Sequence, residues 1–248
     1  MIPKIIHYCW FGRGEMPKLA RKCIKSWKKY CPDYEIKEWN EDNFDLDLYP
    51  YAREAYDNRK FAFVTDVVRL YALYHEGGIY MDTDVEVLKP LDPFLKHTAF
   101  SGFESETDVS TGIMASVKGG KWAKGNLEYY NGRHFLKEDG SFDLTTNVVA
   151  ITNYMVQHGL KRDNTFQDFE VFLTIYPKDY FCPLSWKGEQ MIITENTVAI
   201  HHFAGSWLPN DVKKRIRENK FKSRHRYLYD FYYYFYKLPI ARVKRYLL

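Results

Sequence analysis

Nowhere in the 248 residues does an apolar run reach the roughly 18 positions that a membrane-spanning helix requires. The first residues, Met1-Ile2-Pro3-Lys4-Ile5-Ile6, have no basic lead followed by a long apolar core, so no secretory leader is expected. Cysteine is scarce. The four thiols, Cys9, Cys23, Cys31 and Cys182, show no C-x-x-C spacing, which argues against a disulfide framework or a zinc ribbon. Free thiols in a reducing, cytoplasmic setting are the expectation. Internal repeats and low-complexity linkers are also missing, and the length fits a single large core.

Aromatic residues, by contrast, are plentiful at 18%, with 21 Tyr and 17 Phe. Composition alone leaves open whether they fill the core or also provide stacking platforms. The net charge of +4 is unevenly spread: from Asp211 onward there are twelve Lys/Arg against three Asp/Glu, so that stretch carries +9 and the residues before it −5.

Hydrophobic patterning predicts strand, helix and strand over residues 4–11, 16–30 and 34–39, the opening of a nucleotide-binding α/β half. A helix is predicted over 61–76, with an apolar stripe of Phe61, Val64, Val68, Tyr71 and Ala72 and a Gly77-Gly78 stop. Further strands are expected at 79–81, 85–88, 99–103, 113–116 and 197–203, and helices at 122–130 and 147–157. The chain reads as helical from 211 to its end, interrupted by Pro239. This divides it into an α/β domain over 1–210 and a helical tail over 211–248.

The segment Gly77-Gly78-Ile79-Tyr80-Met81-Asp82-Thr83-Asp84 places two carboxylates two residues apart, just past a buried strand. Hard oxygen ligands there suit Mn²⁺ or Mg²⁺ and, through the cation, a diphosphate. An Asp-x-Asp pair alone is common in solvated turns; the glycines and the strand before it set this one apart. Sixteen residues before Asp82 stands Asp66, with Arg69 one turn later on the same helix face. The pair reads either as an ordinary ion pair or, because Val64, Val67, Val68 and Leu70 surround it, as a buried pair that sugar hydroxyls and phosphate would satisfy. Paired histidines, His201 and His202, end the late strand; they read as packed core residues or as a metal ligand. Thr111-Gly112 and Asn147 read as a turn and a helix cap.

Three motifs in order, Ile2-Pro3-Lys4-Ile5-Ile6-His7-Tyr8-Cys9-Trp10-Phe11-Gly12, Thr65-Asp66-x-x-Arg69 and the Gly-Gly…Asp82-Thr83-Asp84 segment, resemble family-32 glycosyltransferases. That family includes bacterial capsule and lipopolysaccharide sugar transferases and is similar to the glucosyltransferase domains of clostridial toxins. The resemblance implies a GT-A fold with a mixed central sheet, a UDP-sugar donor, Mn²⁺ or Mg²⁺, a hexose moved with retention, and a saccharide acceptor, lipid-linked by expectation. By the same match Trp10 stacks on the base and Tyr80 lies near the uridine. Asp66 and Arg69 contact the donor sugar, Asp82 the ribose and metal shell, and Asp84 the metal directly. His202 is then the late metal ligand, with His201 in reserve, while Ser206 and Trp207 contact the phosphates. The toxin-like relatives place a carboxylate where this chain has the histidine. A nucleotide-sugar hydrolase, or a silent sugar-nucleotide-binding effector, would present the same donor site.

The tail sets Lys213-Lys214-Arg215 and Arg224-His225-Arg226 before the aromatic run 227–236. Such a stretch reads as a solvated basic face or as a dock for the anionic inner face of a membrane, at about 1 kcal/mol per basic residue. No nucleic-acid motif accompanies it. Docking predicts that the chain co-sediments with anionic but not with neutral liposomes and that removing 211–248 abolishes this; indifference to lipid charge leaves the solvated face.

Overall fold

A computed structural model describes residues 1–184 and 191–205 together with Lys214. The chain divides into two compact units, Met1–Pro183 with Ile193–Trp207, and Leu184–Ile192 with Leu208–Leu248. The helical tail expected over 211–248 and the phosphate contacts expected from Ser206 and Trp207 lie outside the described residues.

The first unit opens with strand β1 (Ile5–Cys9), helix α1 (Lys18–Tyr30) and strand β2 (Glu35–Trp39). Helix α1 buries Ala20, Cys23 and Trp27, a stripe at spacings of three and four, and carries Lys28 and Lys29 where the helix dipole favours cations. Helices α2 (Pro50–Asp57) and α3 (Phe61–His75) follow, then β3 (Gly78–Met81) and β4 (Val85–Val87). The remaining elements are β5 (Ala99–Gly102), β6 (Ile113–Ser116), α4 (Lys121–Glu128), α5 (Asn147–Gln157), β7 (Gln167–Asp168), β8 (Thr174–Tyr176) and β9 (Ala199–His201). Helix α2 and strands β7 and β8 add to the elements read from the sequence. The late strand is three residues long, shorter than the stretch 197–203.

Among the described residues seven strands form one mixed sheet in the order β2-β1-β3-β6-β5-β8-β7, and β4 pairs with β9 in a second. Strand β1 is parallel to β2 and β3, whereas β6 is antiparallel to both β3 and β5. The alternation of strand side chains divides the core between the two faces. Ile6, Tyr8, Ile79, Met81, Ile113 and Ala115 join the cluster that holds Trp27. Cys9, Tyr80 and Met114 join the cluster that holds Val64, Val67 and Val68 of α3. With both faces covered, the strands are almost continuously buried. All four cysteines are free and buried.

Two contacts fix the entry to β3. Trp39 Nε1 donates to His7 Nδ1 at 3.1 Å, which leaves the ring proton on Nε2, and Nε2 donates to Gly77 O at 2.7 Å. Burial lowers the His7 pKa and keeps the ring neutral, as this arrangement needs. Gly78 has φ of +110°, and a Cβ there would lie 2.7 Å from Ile5 O. Only glycine fits this left-handed turn against a neighbouring backbone. Gly78→Ala should therefore lower the unfolding free energy by about 2 kcal/mol or more, measured by urea denaturation; a change near zero would mean that the turn relaxes freely.

Candidate active site

The site lies where the chain leaves one sheet for the other. Asp82 follows β3, and Val85 N–H donates to Asp82 O at 2.9 Å, so residues 82–85 form a tight turn into β4. This turn brings both carboxylates to its outer rim. Asp82 N–H donates to Gly112 O at 2.8 Å, anchoring the turn to the start of β6. Strand β4 is held from below by α1: Trp27 Nε1 donates to Val85 O at 2.7 Å, and Val87 N–H to Ser26 Oγ at 2.9 Å.

Asp66 and Arg69 come from the buried middle of α3, 7% and 5% exposed. Arg69 donates through Nη1 to Thr111 O at 2.8 Å and through Nη2 to Thr65 Oγ1 at 3.0 Å. The same Nη2 lies 3.3 Å from Asp66 and 3.4 Å from Asp82. Beneath the guanidinium, 4.6 Å from its carbon, is the Tyr80 ring, whose hydroxyl donates to Asp82 Oδ1 at 2.8 Å. Tyr80 is 1% exposed, so its place is under Arg69 rather than on an open surface. Asp66 is seated by Asn147, whose N–H reaches Asp66 Oδ2 at 3.3 Å and whose Nδ2 donates to Asp66 O at 2.8 Å. Asn147 is in turn held by Tyr130, whose hydroxyl donates to Asn147 Oδ1 at 2.7 Å. Burial pushes the Asp66 carboxyl up to about 6, against the lowering effect of Arg69.

His201 rather than His202 faces the two carboxylates. Strand β9 pairs antiparallel with β4, setting His201 opposite Val85, and His202 N–H donates to Asp84 O at 3.0 Å. Neighbouring side chains on a strand point to opposite faces. His201 Nε2 therefore lies 3.3 Å from Asp84 Oδ1 and 3.8 Å from Asp82 Oδ2. His202 turns to Glu86 at 2.9 Å, where Lys22 also binds at 2.8 Å. Asp84 Oδ2 accepts from Ala204 N–H at 2.7 Å. Although burial opposes ionisation of Asp84, its pairing with His201 prevails and the carboxyl is lowered to about 2. Despite burial, the same pairing raises the His201 pKa.

Ligand atoms of Asp82, Asp84 and His201 all lie within 4.8 Å of one another. Adjacent ligands of an octahedral ion with bonds near 2.1 Å are roughly 3 Å apart, so the two nitrogen–oxygen spacings need little adjustment. Two carboxylates and one imidazole suit Mn²⁺ or Mg²⁺ chemically. Gly112 makes room for this group: a Cβ there would lie 2.6 Å from His201 Nδ1. The contact of Gly112 with His201 joins elements far apart in the chain.

Residues 17–101 match the glycosyltransferase sugar-binding region containing a DXD motif. Over 122 residues the chain is 36% identical to an inositol phosphoceramide mannosyltransferase of Schizosaccharomyces pombe, covering 48% of this chain and 34% of that protein. It is 34% identical over 125 residues to a mannosyl phosphorylinositol ceramide synthase of Saccharomyces cerevisiae, covering 47% and 32%. The match to a glycosyltransferase of Acanthamoeba polyphaga mimivirus is 29% over 153 residues, covering 59% and 61%. The chain thus spans about a third of the length of the fungal relatives. Among solved structures, the PaToxG glycosyltransferase superposes with a TM-score of 0.49 at 19% identity, covering 63% of this chain and 70% of that one. The galactosyltransferase LgtC, solved with donor and acceptor sugar analogues, gives 0.43 at 13%, covering 87% and 95%.

Trp10 precedes the matched region; it stands just beyond β1, half-buried, and its Nε1 donates to Gly14 O at 2.7 Å. An open depression of about 430 Å³ is lined by Gly12, Arg13, Tyr56, Asp57, Arg59 and Phe61; none of the carboxylates above lines it. The Gly112–His201 contact predicts that Gly112→Ala displaces the ring and weakens Mn²⁺ binding about 10- to 100-fold, with the fold intact by circular dichroism. Titration of the free-Mn²⁺ paramagnetic resonance signal measures this. Unchanged affinity would remove His201 from the ligand set.

Proposed function

We propose that the protein transfers a sugar from a nucleoside-diphosphate sugar to a hydroxyl of a saccharide or glycolipid acceptor, in a divalent-cation-dependent reaction. The observation that carries this reading is the convergence of Asp82, Asp84 and His201 beside the buried Asp66–Arg69 pair. A uridine donor follows from the motif resemblance. Mannose as the sugar is suggested by the fungal relatives, a mannosyltransferase and a mannosyl-lipid synthase of inositol phosphoceramide.

In this reading Asp82, Asp84 and His201 hold Mn²⁺ or Mg²⁺, which when bound offsets the charge of the leaving diphosphate. Arg69 supplies a fixed positive charge next to Asp82, and its donors are oriented before any ligand arrives. Asp66, kept in place by Asn147, accepts hydrogen bonds from donor-sugar hydroxyls. We further propose retention of configuration by front-side attack, because Asp66 and Asp84 are already engaged by Arg69 and His201. On the strength of the basic tail, we place the reaction in the cytoplasm at the inner face of a membrane. Among the described residues, no helix is long and apolar enough to cross a membrane.

Calorimetric titration with UDP-glucose, UDP-galactose and GDP-mannose, with and without Mn²⁺, tests the donor site. At least one should bind only with Mn²⁺, and Asp84→Ala should abolish that binding while the protein stays folded. If none binds under either condition, the transferase reading falls.

A further inference from the structure

One carboxylate near the site is engaged by neither the pairs nor the cation ligands described above. Glu104 stands two residues past the end of β5 and is half-buried. Its N–H donates to Asp108 O at 2.8 Å, and a bridge between Phe103 and Val109 closes the turn from the other side. Every other acid of this turn is tied down: Asp108 by Arg162 at 2.6 Å, and Glu106 by Lys178 and Asn164. Among the described residues, the Glu104 carboxylate makes no hydrogen bond or ion pair. Besides Asp108, the charges that act on it are His201, Asp82 and Arg69, all members of the active site. Burial pushes its carboxyl up to about 7.

Strand directions explain why this residue meets the site. Strand β6 is antiparallel to both β3 and β5, so β5 runs the same way as β3 and β1. The residues that follow β1, β3 and β5 therefore emerge at one edge of the sheet, the edge where open α/β sheets bind ligands. The strand order puts β1 on one flank of β3, with β6 and β5 on the other. A nucleotide sugar whose base lies beyond β1 and whose diphosphate lies at Asp82 and Asp84 extends its sugar toward the end of β5. Arg69 and Asp66 already serve the side of α3. What remains to be received on the β5 side is the molecule that takes the sugar.

We propose that the Glu104 carboxylate receives the attacking hydroxyl of the acceptor and holds it by a hydrogen bond beside the anomeric carbon. The inference rests on the donor-site reading above. In the step it serves, the hydroxyl oxygen bonds to the anomeric carbon and the bond from that carbon to the diphosphate oxygen breaks with its electron pair. The hydroxyl proton leaves on the diphosphate, and Glu104 ends as it began. Its contribution is orientation of the nucleophile, an effect of about 100-fold or more in general-base and positioning variants.

The test uses the full chain with Mn²⁺ and whichever of the three donors binds, and follows release of nucleoside diphosphate with water alone and with methyl α-mannoside as a soluble hydroxyl probe. Glu104→Ala should lower kcat about 100-fold or more, and Glu104→Gln, which keeps an acceptor oxygen without the charge, about 10-fold, both leaving donor Kd within about twofold. Formate, which can enter the space left in Glu104→Ala, should restore part of the lost turnover and do nothing for Glu104→Gln; a purely structural role gives no such rescue. The inference is overturned by variants that turn over normally, by donor binding lost together with turnover, or by a sugar covalently attached to Glu104 in the mass spectrum. It is also overturned by a wild type that binds donor yet releases no nucleoside diphosphate with either probe. Failure of the wild type to bind any donor brings down the donor-site reading itself, a result visible before any Glu104 variant is made.

Discussion

A guanidinium with almost no access to water governs the arrangement of this site. Arg69 is 5% exposed, and a buried charge persists only where its surroundings neutralise and hydrogen-bond it. The groups that do so come from three parts of the chain: Thr65 and Asp66 from its own helix, Thr111 from the approach to β6, and the face of Tyr80 and the carboxylate of Asp82 from β3 and its end. Breaking such an arrangement by removing one partner typically costs about 3–5 kcal/mol, because the charge left behind has nowhere to go. The pair that reads in the sequence as an i,i+3 contact is thus the joint between helix, sheet and carboxylate turn. Its rigidity sets donor groups in position ahead of any ligand, which is where much of the effect of an enzyme's electrostatics originates.

The second constraint is that the two aspartates do not belong to a single sheet. The turn 82–85 hands the chain from the seven-stranded sheet to the small β4·β9 pair. Asp82 is fastened to Gly112 and Arg69 on the large-sheet side, and Asp84 to His202 N–H, Ala204 N–H and His201 on the small-sheet side. Trp27 and Ser26 fix β4 from α1, so the small sheet cannot slide relative to the large one without losing hydrogen bonds buried in the core. The spacing of the two carboxylates is in this way set by the packing of both sheets.

Much of this was legible in the chain because it is local. The stripe in α1, the buried run in α3 and the short apolar runs of β3 and β6 follow from neighbouring residues. So do the Gly77-Gly78 turn and the Asp82–Asp84 pair, whose meaning depends on little beyond the strand before them. What was not legible depends on pairing at a distance. The choice between His201 and His202 is a matter of strand parity, and parity is decided by the register of β9 against β4, more than a hundred residues away. Asn147 read as a cap until its side chain was found supporting Asp66. Helix α2 is eight residues long and gives too short a stretch for periodicity to declare itself, and β7 and β8 are shorter still. Glu104 sits in an acidic turn that looks like any solvated loop; only the strand order brings it to the site.

The β4·β9 pairing also has a consequence in time. Asp84 and the segment that completes its surroundings are separated by 120 positions, the interval between Asp84 and Ala204. At the usual pace of about 5–20 residues per second, the carboxylates leave the ribosome roughly 6 to 24 s before the residues that will meet them. Over that interval β4 can pack on α1 but presents an unpaired edge, the kind of surface that recruits strands from other chains. Among the described residues β9 is the last strand to be made, and its arrival both completes the surroundings of the carboxylate turn and closes the exposed edge of β4.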